Sequence, residues 1–351
     1  MTWKFEWITD WKTIYSEPFQ EKWLEWYNQA NTSHVFFHPA PAMAWIETYR
    51  PIREIEPLFC IAKEGETTIF MPLICWKRNW KNGFQNIVVP LGHSDFDYHD
   101  PLIIGKNKDF EHQFYSLLIN EIKKNIEFDK IELSGFRYLA GQQNWTEEPE
   151  YCPYCELDNF KNSNDFLSSL KTSLRGDVKR QQRRMEERGK ITLHSYSNES
   201  LSDALAALPQ FLEYHGRRWP KAFKAPGFHQ RLLEVGLPLG LVDFTELRIG
   251  DIPVSWHLGF RDKGHYYYYM PVIHPEYTLF SPGKVHLLYL VEQCINDGFQ
   301  LFDHLRGNEN YKSGWTNQVQ QLYSYTEKSE KLPACLRNWV AEKGKKLVKW
   351  W

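Results

Sequence analysis

The sequence lacks the apolar run of about 20 residues that a membrane-spanning helix needs. Its N-terminal stretch, Met1–Trp11, also lacks the apolar core of a signal peptide. No low-complexity tract interrupts the 351 residues, a length that suits two domains better than one. We therefore expect a folded, cytoplasmic protein with two domains. Nothing in the composition indicates its oligomeric state.

An excess of charge is missing too, since 42 basic residues face 44 acidic ones. Such a balance gives no overall field that would attract nucleic acid or an anionic membrane. Recognition of an anion must therefore depend on a local group of residues.

Cysteine is scarce, with six residues, and only Cys152 and Cys155 are close together. Their string, Cys-Pro-Tyr-Cys, copies the redox motif of glutaredoxins. A redox motif of this kind follows a buried strand and begins a helix, whereas the polar stretch Gln142–Tyr151 predicts no strand. A zinc site would need a second close pair. We expect neither a redox centre nor a bound metal.

The hydrophobic pattern predicts two successive units with similar element order. In the first half, the pattern predicts helices at Glu17–Ala30, Ala40–Tyr49 and Phe110–Ile126, and strands at Leu58–Lys63, Thr67–Trp76, Phe84–Leu91 and Lys130–Leu133. In the second half, it predicts strands at Ile191–Ser195, Leu241–Ile249, Ile252–Phe260, His265–Pro271, Gln300–Leu305 and Val319–Thr326, and helices at Ser200–Arg217, Phe228–Val235, Lys284–Asn296, Glu309–Trp315 and Cys335–Val348. The fold class is α/β with a mixed sheet, divided into residues 1–150, a connector at 151–190, and residues 191–351.

The connector contains a predicted basic helix, Asn164–Arg188. Its cations recur at spacings of three and four, which places them on shared helix faces: Lys171, Arg175, Lys179, Arg180, Arg183, Arg184 and Arg188. One interpretation is a solvated connector. The other is a clamp for the phosphates of a nucleotide, a carrier or tRNA.

A candidate anion site lies at Thr278–Lys284, between a strand and a helix. A helix N-terminus presents unpaired N–H groups that favour an anion. Gly283 lets a ligand approach the backbone, and Lys284 adds a positive charge. The alternative is an ordinary helix start with Ser281 as its N-cap.

The second candidate site is Phe302–Trp315, which is rich in proton donors and acceptors. Asp303 and Glu309 are suited to orienting or deprotonating an amine, Tyr311 to protonating a leaving thiolate, and Lys312 to stabilising an oxyanion or a phosphate. The alternative is an internal ion-pair network that holds the loop and includes Arg306.

Strings across nearly the whole chain resemble the CelD-like GNAT acyltransferases, bacterial proteins often linked to cellulose or exopolysaccharide biosynthesis. The strings are Val35–Pro39, Met71–Leu73, Gly92–Leu102, Gln210–Trp219, Gly250–His257, Tyr266–Tyr269, Ser281–Gly283 and Phe302–Trp315. The family is similar in turn to the Fem aminoacyltransferases, which use two GNAT halves and aminoacyl-tRNA. Ser281-Pro282-Gly283 departs from the usual glycine-rich GNAT signature at this turn.

The resemblance implies two tandem GNAT halves and transfer of an acyl group, most simply acetyl, from acyl-CoA to an amine or hydroxyl of a small molecule or saccharide. It implies catalytic roles for Lys312, Tyr311, Glu309, Asp303 and His215. The implied acyl-CoA contacts are Ser281, Gly283, Lys284 and Tyr269, and the implied acceptor contacts are Arg306, Trp219, Tyr98 and Asp97. A Fem-like transferase that uses aminoacyl-tRNA, and a catalytically silent GNAT module that binds a ligand, remain the alternatives.

Overall fold

The computed structural model describes residues 3–79, 82–93, 95–105, 111–139, 144–220, 222 and 224–348, without the side chains of 111–113 and 344–348. The chain forms two compact units, Met1–Pro149 with Gln321–Trp351, and Glu150–Gln320. These units differ from the sequence-based division because residues 321–351 pack with the first unit. The predicted boundary region, 140–150, lies partly outside the described residues.

The described strands are β1 (Lys4–Ile8), β2 (Glu54–Glu64), β3 (Thr67–Lys77), β4 (Asn86–Pro90), β5 (Leu102–Ile104), β6 (Lys130–Phe136), β7 (Thr146–Glu156), β8 (Ile191–Ser195), β9 (Val242–Ile249), β10 (Ile252–Asp262), β11 (His265–Ile273), β12 (Leu301–Asp303) and β13 (Gln318–Lys328). The described α-helices are α1 (Trp11–Ile14), α2 (Glu17–Gln29), α3 (Pro39–Tyr49), α4 (Glu111–Asn125), α5 (Ser163–Ser169), α6 (Thr172–Glu186), α7 (Leu201–Arg218), α8 (Phe228–Gly236), α9 (Pro282–Asn296) and α10 (Leu332–Val348).

In the first unit the strands lie in the order β1-β2-β3-β4-β6-β13, and β5 pairs with β3. Neighbours are antiparallel except β4 and β6, which are parallel. Aromatic residues fill the core between α2 and the sheet: the ring centroid of Trp23 lies 5.5 Å from that of Phe59 and 5.3 Å from that of Phe70. Apolar residues at helical spacing on α2 explain this packing.

In the second unit the order is β7-β12-β11-β10-β9-β8. Here β11 and β12 are parallel, and the other neighbours are antiparallel. Because side chains alternate along a strand, the sheet presents two apolar faces. Tyr266 and Tyr268 pack with Leu287 of α9. On the other face Phe244 packs against Phe211 of α7.

The predicted α/β element order is present in both units, and β1 supplies the first strand that the sequence pattern did not indicate. Three local predictions are wrong. Residues 146–156 form a strand, although their polarity predicted none. The predicted helix Asn164–Arg188 is two helices, α5 and α6, which are separated at Leu170. The predicted helix Glu309–Trp315 is a single 3₁₀ turn, Lys312–Gly314.

Cys152 and Cys155 lie buried on β7, the strand that the sequence pattern did not predict, and neither is in a disulfide. Burial raises the pKa of the Cys155 thiol to about 11, so the reactive thiolate is disfavoured at neutral pH.

Candidate active site

The parallel strands β11 and β12 separate after a short paired stretch. Their last paired residues are Tyr267 and Asp303. Beyond this point the chain that leaves β12 stays with β7: the His304 N–H donates to the Pro153 carbonyl at 2.8 Å, and the Gly307 N–H donates to the Tyr151 carbonyl at 3.1 Å. In the described part of the chain, no segment pairs with the rest of β11, residues 268–273, on the β12 side. Beyond Tyr267, β11 therefore pairs with β10 on one side, while β12 does not pair with it on the other side.

Helix α9 begins close to the end of this stretch of β11. Ser281 stands at its N-cap with φ 47° and makes no side-chain cap hydrogen bond, so its hydroxyl is not the cap that one sequence interpretation expected. A Cβ at Gly283 would lie 3.2 Å from Cγ2 of Ile273, the last residue of β11. Glycine thus lets the helix start lie against the strand end. The first amides of α9, uncapped by a side chain, favour an anion there.

Lys284, the predicted charge at this helix start, is held by the basic helix. Its Nζ lies 2.6 Å from Oδ2 of Asp177 on α6. The carboxylate partner offsets the lysine charge, so the positive potential at the start of α9 must come from its backbone and from other side chains.

Two arginines line a cavity near this helix start. The cavity, of about 380 Å³, is lined by Arg217, Arg218 and Tyr214 of α7 and by Val272, Ile273, Pro275 and Thr278. Both arginines are exposed. Arg217 forms an ion pair with Glu213, and the Arg218 guanidinium lies 5.5 Å from the Trp219 ring centroid. Guanidinium groups beside a helix N-terminus are suited to binding phosphate.

Lys312 lies buried, with 4% of its surface exposed, inside its own loop. Its ammonium donates to the carbonyls of Leu305 at 3.3 Å and Arg306 at 2.8 Å, and it lies 3.0 Å from Oε2 of Glu309. Leu305 and Gly307 adopt positive φ values of 57° and 135°, and these turn the loop around the ammonium. The contacts favour a role in holding the loop.

The same loop contacts β11 through aromatic and charged groups. Burial, then the charge of Glu309, raises the pKa of Tyr311, while the charge of Arg218 opposes that rise. Burial, then Tyr311 and Glu309, raises the pKa of Tyr268 well above its ordinary value. These influences place Tyr268 within electrostatic range of Tyr311 and Glu309, and Tyr311 within that of Glu309 and Arg218. Tyr311 thus lies within electrostatic range of Arg218, one of the residues that line the cavity.

The structure adds two residues to which the sequence analysis assigned no role, Tyr268 and His304. His304 is buried, and its ring centroid lies 5.9 Å from that of Tyr268. Burial, followed by the charge of Lys312, lowers the pKa of His304 to about 3. Both residues lie within strings noted in the sequence, but strand alternation alone does not tell which tyrosine of Tyr266–Tyr269 meets the loop. Asp303 accepts a hydrogen bond from the Leu305 N–H at 2.8 Å, which stabilises the turn that leaves β12.

His215, Tyr269 and Trp219 lie on the α7 side of the sheet. His215 lines a second cavity, of about 610 Å³, between α7 and α8. Tyr269 lies beneath Lys224, whose Nζ is 5.5 Å from the ring centroid. Trp219 follows α7 as its C-cap and is 40% exposed.

The remaining predicted site residues, Tyr98 and Asp97, belong to the first unit. Tyr98 is buried, with the Arg137 guanidinium 4.4 Å from its ring centroid. The neighbouring Asp100 accepts from the Arg137 N–H at 2.8 Å and from its Nε at 2.6 Å. These contacts account for Tyr98 as a core residue of its unit. Its role as an acceptor contact, like that of the half-buried Asp97, stays a prediction.

Within the described residues, no group of three histidine, cysteine or acidic side chains is arranged to hold a metal ion. Among the described helices, none has the length and apolarity to cross a bilayer.

Solved structures with this fold are known. A structure described as FemX has a TM-score of 0.57 and 10% identity, and the match covers 87% of this chain and 95% of that one. A conserved protein of unknown function from Bacteroides thetaiotaomicron has a TM-score of 0.53 and 10% identity, with 92% and 99% covered. The C-terminal domain of a putative lysylphosphatidylglycerol synthetase from Agrobacterium fabrum has a TM-score of 0.51 and 10% identity, with 81% and 86% covered. At this identity the likeness is one of fold.

Residues 172–313 match the family model described as an acetyltransferase (GNAT) domain. This region, which holds β11, α9 and the Lys312 loop, is a GNAT-type acyltransferase domain. Because the first unit repeats its element order, the predicted fold of two tandem GNAT-type halves is confirmed. No curated protein matches the chain significantly.

Proposed function

We propose that the chain transfers an acyl group, in the simplest case acetyl, from acyl-CoA to an amine or hydroxyl of a small molecule or saccharide. The observation that carries the proposal is the separation of β11 from β12 beside the start of α9. An extended donor with amide groups can lie along residues 268–273 of β11, which β12 does not pair with. Its phosphates can meet the first amides of α9, with Arg217 and Arg218 nearby. CelD-like membership and a role in polysaccharide biosynthesis remain predictions.

In this reaction the acceptor nitrogen or oxygen attacks the thioester carbonyl. A C–N or C–O bond forms, the C–S bond breaks, and the acceptor loses a proton while the thiolate gains one. We assign the role of proton donor to Tyr311, whose phenol is protonated at neutral pH. We assign Lys312 and Glu309, which are bound to each other, to positioning the loop that carries Tyr311. Most of the rate enhancement would come from holding acceptor and thioester together.

The test is a calorimetric titration of the purified chain with acetyl-CoA. We expect saturable binding that weakens about tenfold or more in the double variant Arg217→Ala/Arg218→Ala, since hydrogen bonds to charged groups contribute about 1.5–3 kcal/mol each. Arg231→Ala is the matched control, because Arg231 also forms an intrahelical ion pair, with Glu234. Absence of saturable acetyl-CoA binding to the parent chain would overturn the proposal.

A Fem-like transferase that uses aminoacyl-tRNA is the second candidate, and the surface of α6 favours it. Arg184 donates to the Leu279 carbonyl at 3.1 Å, and Arg188 lies 5.4 Å from the Phe280 ring centroid. Lys179 and Arg183 remain exposed on the helix surface. Binding of aminoacyl-tRNA that weakens steeply with salt, together with no binding of acetyl-CoA, would make this candidate the first.

The third candidate is a silent GNAT module that binds a ligand without turnover. The double variant Lys312→Ala/Glu309→Gln tests it, with ethanolamine as an acceptor that offers both an amine and a hydroxyl. If the parent chain transfers acetyl to ethanolamine and the variant does not, the silent module is excluded. Mass spectrometry of the product then distinguishes N- from O-transfer.

A further inference from the structure

The outer face of α10 carries four exposed apolar side chains, called here the α10 strip: Leu332, Leu336, Trp339 and Val340. Their spacing of three and four residues places them along one side of the helix. Leu332 is 85% exposed and Trp339 is 58% exposed. Apolar side chains that are exposed singly are ordinary, but a contiguous apolar strip on a surface is typical of a binding site.

The opposite face of α10 fixes the helix against the first unit. Its residues Ala334, Asn338 and Ala341 are buried. The Asn338 side chain donates to the Asp129 carbonyl at 3.0 Å. Arg337 donates to both carboxylate oxygens of the buried Asp129, at 2.8 Å and 2.7 Å. Because these contacts hold the helix in one orientation, the α10 strip stays on the surface.

A neighbouring loop brings another exposed aromatic residue to this part of the first unit. A Cβ at Gly83 would lie 2.7 Å from the Arg337 carbonyl oxygen and 3.0 Å from the Ala341 nitrogen, so the loop lies directly against the backbone of α10. The next residue, Phe84, is exposed. Exposed apolar surface is therefore present on the helix and on the loop that contacts it.

Positive charge is concentrated in the same part of the chain. Residues 328–351 contain seven basic residues and two acidic ones, Glu330 and Glu342, and Glu342 forms an ion pair with Lys328. Lys331 and Lys343 are exposed near the two ends of the α10 strip, and the Lys343 ammonium lies 5.9 Å from the Trp339 ring centroid. A chain whose total charge is nearly balanced thus has a local basic segment beside its exposed apolar strip.

We infer that the α10 strip binds the surface of an anionic lipid bilayer, with its apolar side chains below the headgroups and the neighbouring lysines at the lipid phosphates. Leucine and tryptophan on one side of a helix, with lysines beside them, suit the interface of such a bilayer. A second copy of this chain fits less well, because it would bring the same basic segment against itself. The inference is independent of the proposed acyl transfer.

Binding is measured by sedimentation of the full chain with lipid vesicles. We expect the chain to sediment with vesicles of phosphatidylcholine that contain about a quarter phosphatidylglycerol, and to bind vesicles of phosphatidylcholine alone about tenfold or more weakly. Raising the salt to about 1 M, where the Debye length is about 3 Å, should weaken binding to the anionic vesicles.

The apolar part of the surface is tested by Leu336→Ser/Trp339→Ser. Both side chains are exposed, so the unfolding midpoint in denaturant should stay unchanged while vesicle binding weakens about tenfold or more. Leu24→Ser/Ile52→Ser is the matched control, because it removes two exposed apolar side chains elsewhere in the first unit. This control should bind the vesicles as the parent chain does.

The charged part is tested by Lys331→Gln/Lys343→Gln, which should weaken binding to the anionic vesicles about tenfold or more. Its control is Lys4→Gln/Lys63→Gln, which removes two exposed lysines from β1 and β2. These strands lie at the end of the first unit's strand order opposite to β13, the strand that precedes α10. This control should leave binding unchanged.

Several results would overturn the inference: no sedimentation with the anionic vesicles, equal binding to both kinds of vesicle, or binding that Leu336→Ser/Trp339→Ser leaves unchanged. An equal loss in the control variants would do the same, since it would assign binding to the surface in general. If the parent chain binds no vesicles but forms a dimer that Leu336→Ser/Trp339→Ser dissociates, the α10 strip belongs to an interface between two copies. Failure of acetyl-CoA binding would count against the proposed transfer reaction alone.

Discussion

In the first unit, β4 and β6 pair in parallel at Ile87–Lys130 and Val88–Ile131 and then separate, as β11 and β12 do in the second unit. The first unit fills the separation with its own chain. The His99 N–H donates to the Gly135 carbonyl of β6 at 2.9 Å, and its ring Nδ1 lies 2.7 Å from the Ser134 carbonyl. In the described part of the second unit, no segment takes the corresponding place on β11. The same strand arrangement thus serves packing in the first unit, and in the second unit it is where we propose that the acyl donor binds.

The largest effect on stability should come from disrupting the packing that fills the space between β4 and β6 in the first unit. Asp100→Ala removes the buried carboxylate that forms an ion pair with the Arg137 guanidinium, which is 10% exposed. We expect the free energy of unfolding, measured in denaturant, to fall by about 3–5 kcal/mol. Acetyl-CoA affinity of the folded fraction should be unchanged.

Glu21→Ala, at an exposed position of α2, is the control and should change stability by less than about 0.5 kcal/mol. A large loss of acetyl-CoA affinity in folded Asp100→Ala would break the comparison, because it would make the first unit part of the donor site.

The next effect concerns chemistry in the second unit. Tyr311→Phe should lower kcat for transfer to ethanolamine by about a hundredfold, a typical contribution of general acid catalysis. The raised pKa of Tyr311 keeps its proton in place above the ordinary tyrosine value of about 10. The parent rate should therefore not decline between pH 7 and pH 10 through ionisation of this group. Equal kcat values for parent and variant would remove Tyr311 from the mechanism.

Lys312→Met tests whether the loop of the second unit depends on its buried ammonium. The change leaves the carbonyls of Leu305 and Arg306 without their donor and Glu309 without its ion-pair partner. We expect a loss of about 1–3 kcal/mol in unfolding free energy and a lower kcat with little change in KM for acetyl-CoA. A change confined to KM would indicate direct contact with the donor instead.

Much of the fold of both units could be predicted from hydrophobic periodicity. The helices α2 and α3 and the strands β9 to β11 lie within a few residues of their predicted ranges, because their apolar faces repeat regularly. The strand β7 was missed because its residues, Thr-Glu-Glu-Pro-Glu-Tyr-Cys-Pro-Tyr-Cys-Glu, are polar and contain two prolines. Its pairing with β12 is a long-range contact that overrides local propensity.

The site was predicted as a set of residue types, without their partners. Glu309, Tyr311 and Lys312 do lie together, but the enclosure of Lys312 depends on positive φ values at Leu305 and Gly307. Leucine rarely adopts that conformation, so the sequence gives no sign of it. The contribution of Arg217 and Arg218 was missed for a related reason: their cavity is completed by β11 and the turn after it, far along the chain.

The smallest effect concerns the polar groups that α9 buries against the second sheet. His286 of α9 is buried, with its Nε2 3.0 Å from the Thr245 hydroxyl and its Nδ1 2.9 Å from that of Ser255. Burial lowers its pKa to about 3.

Below pH 6.5 this histidine is protonated in the unfolded chain, where its pKa is about 6.5, but stays neutral in the folded chain. Its contribution to stability is therefore fully present above pH 6.5 and declines as the pH falls toward 3. Between pH 7 and pH 5 this histidine should account for a loss of about 1–2 kcal/mol in unfolding free energy. His286→Gln, which keeps hydrogen-bonding groups but cannot titrate, should reduce the acid sensitivity by that amount in denaturant unfolding at the two pH values. An identical pH dependence in parent and variant would show that His286 is already accessible to protons in the folded unit, and that α9 packs more loosely on β9 and β10 than the contacts of His286 indicate.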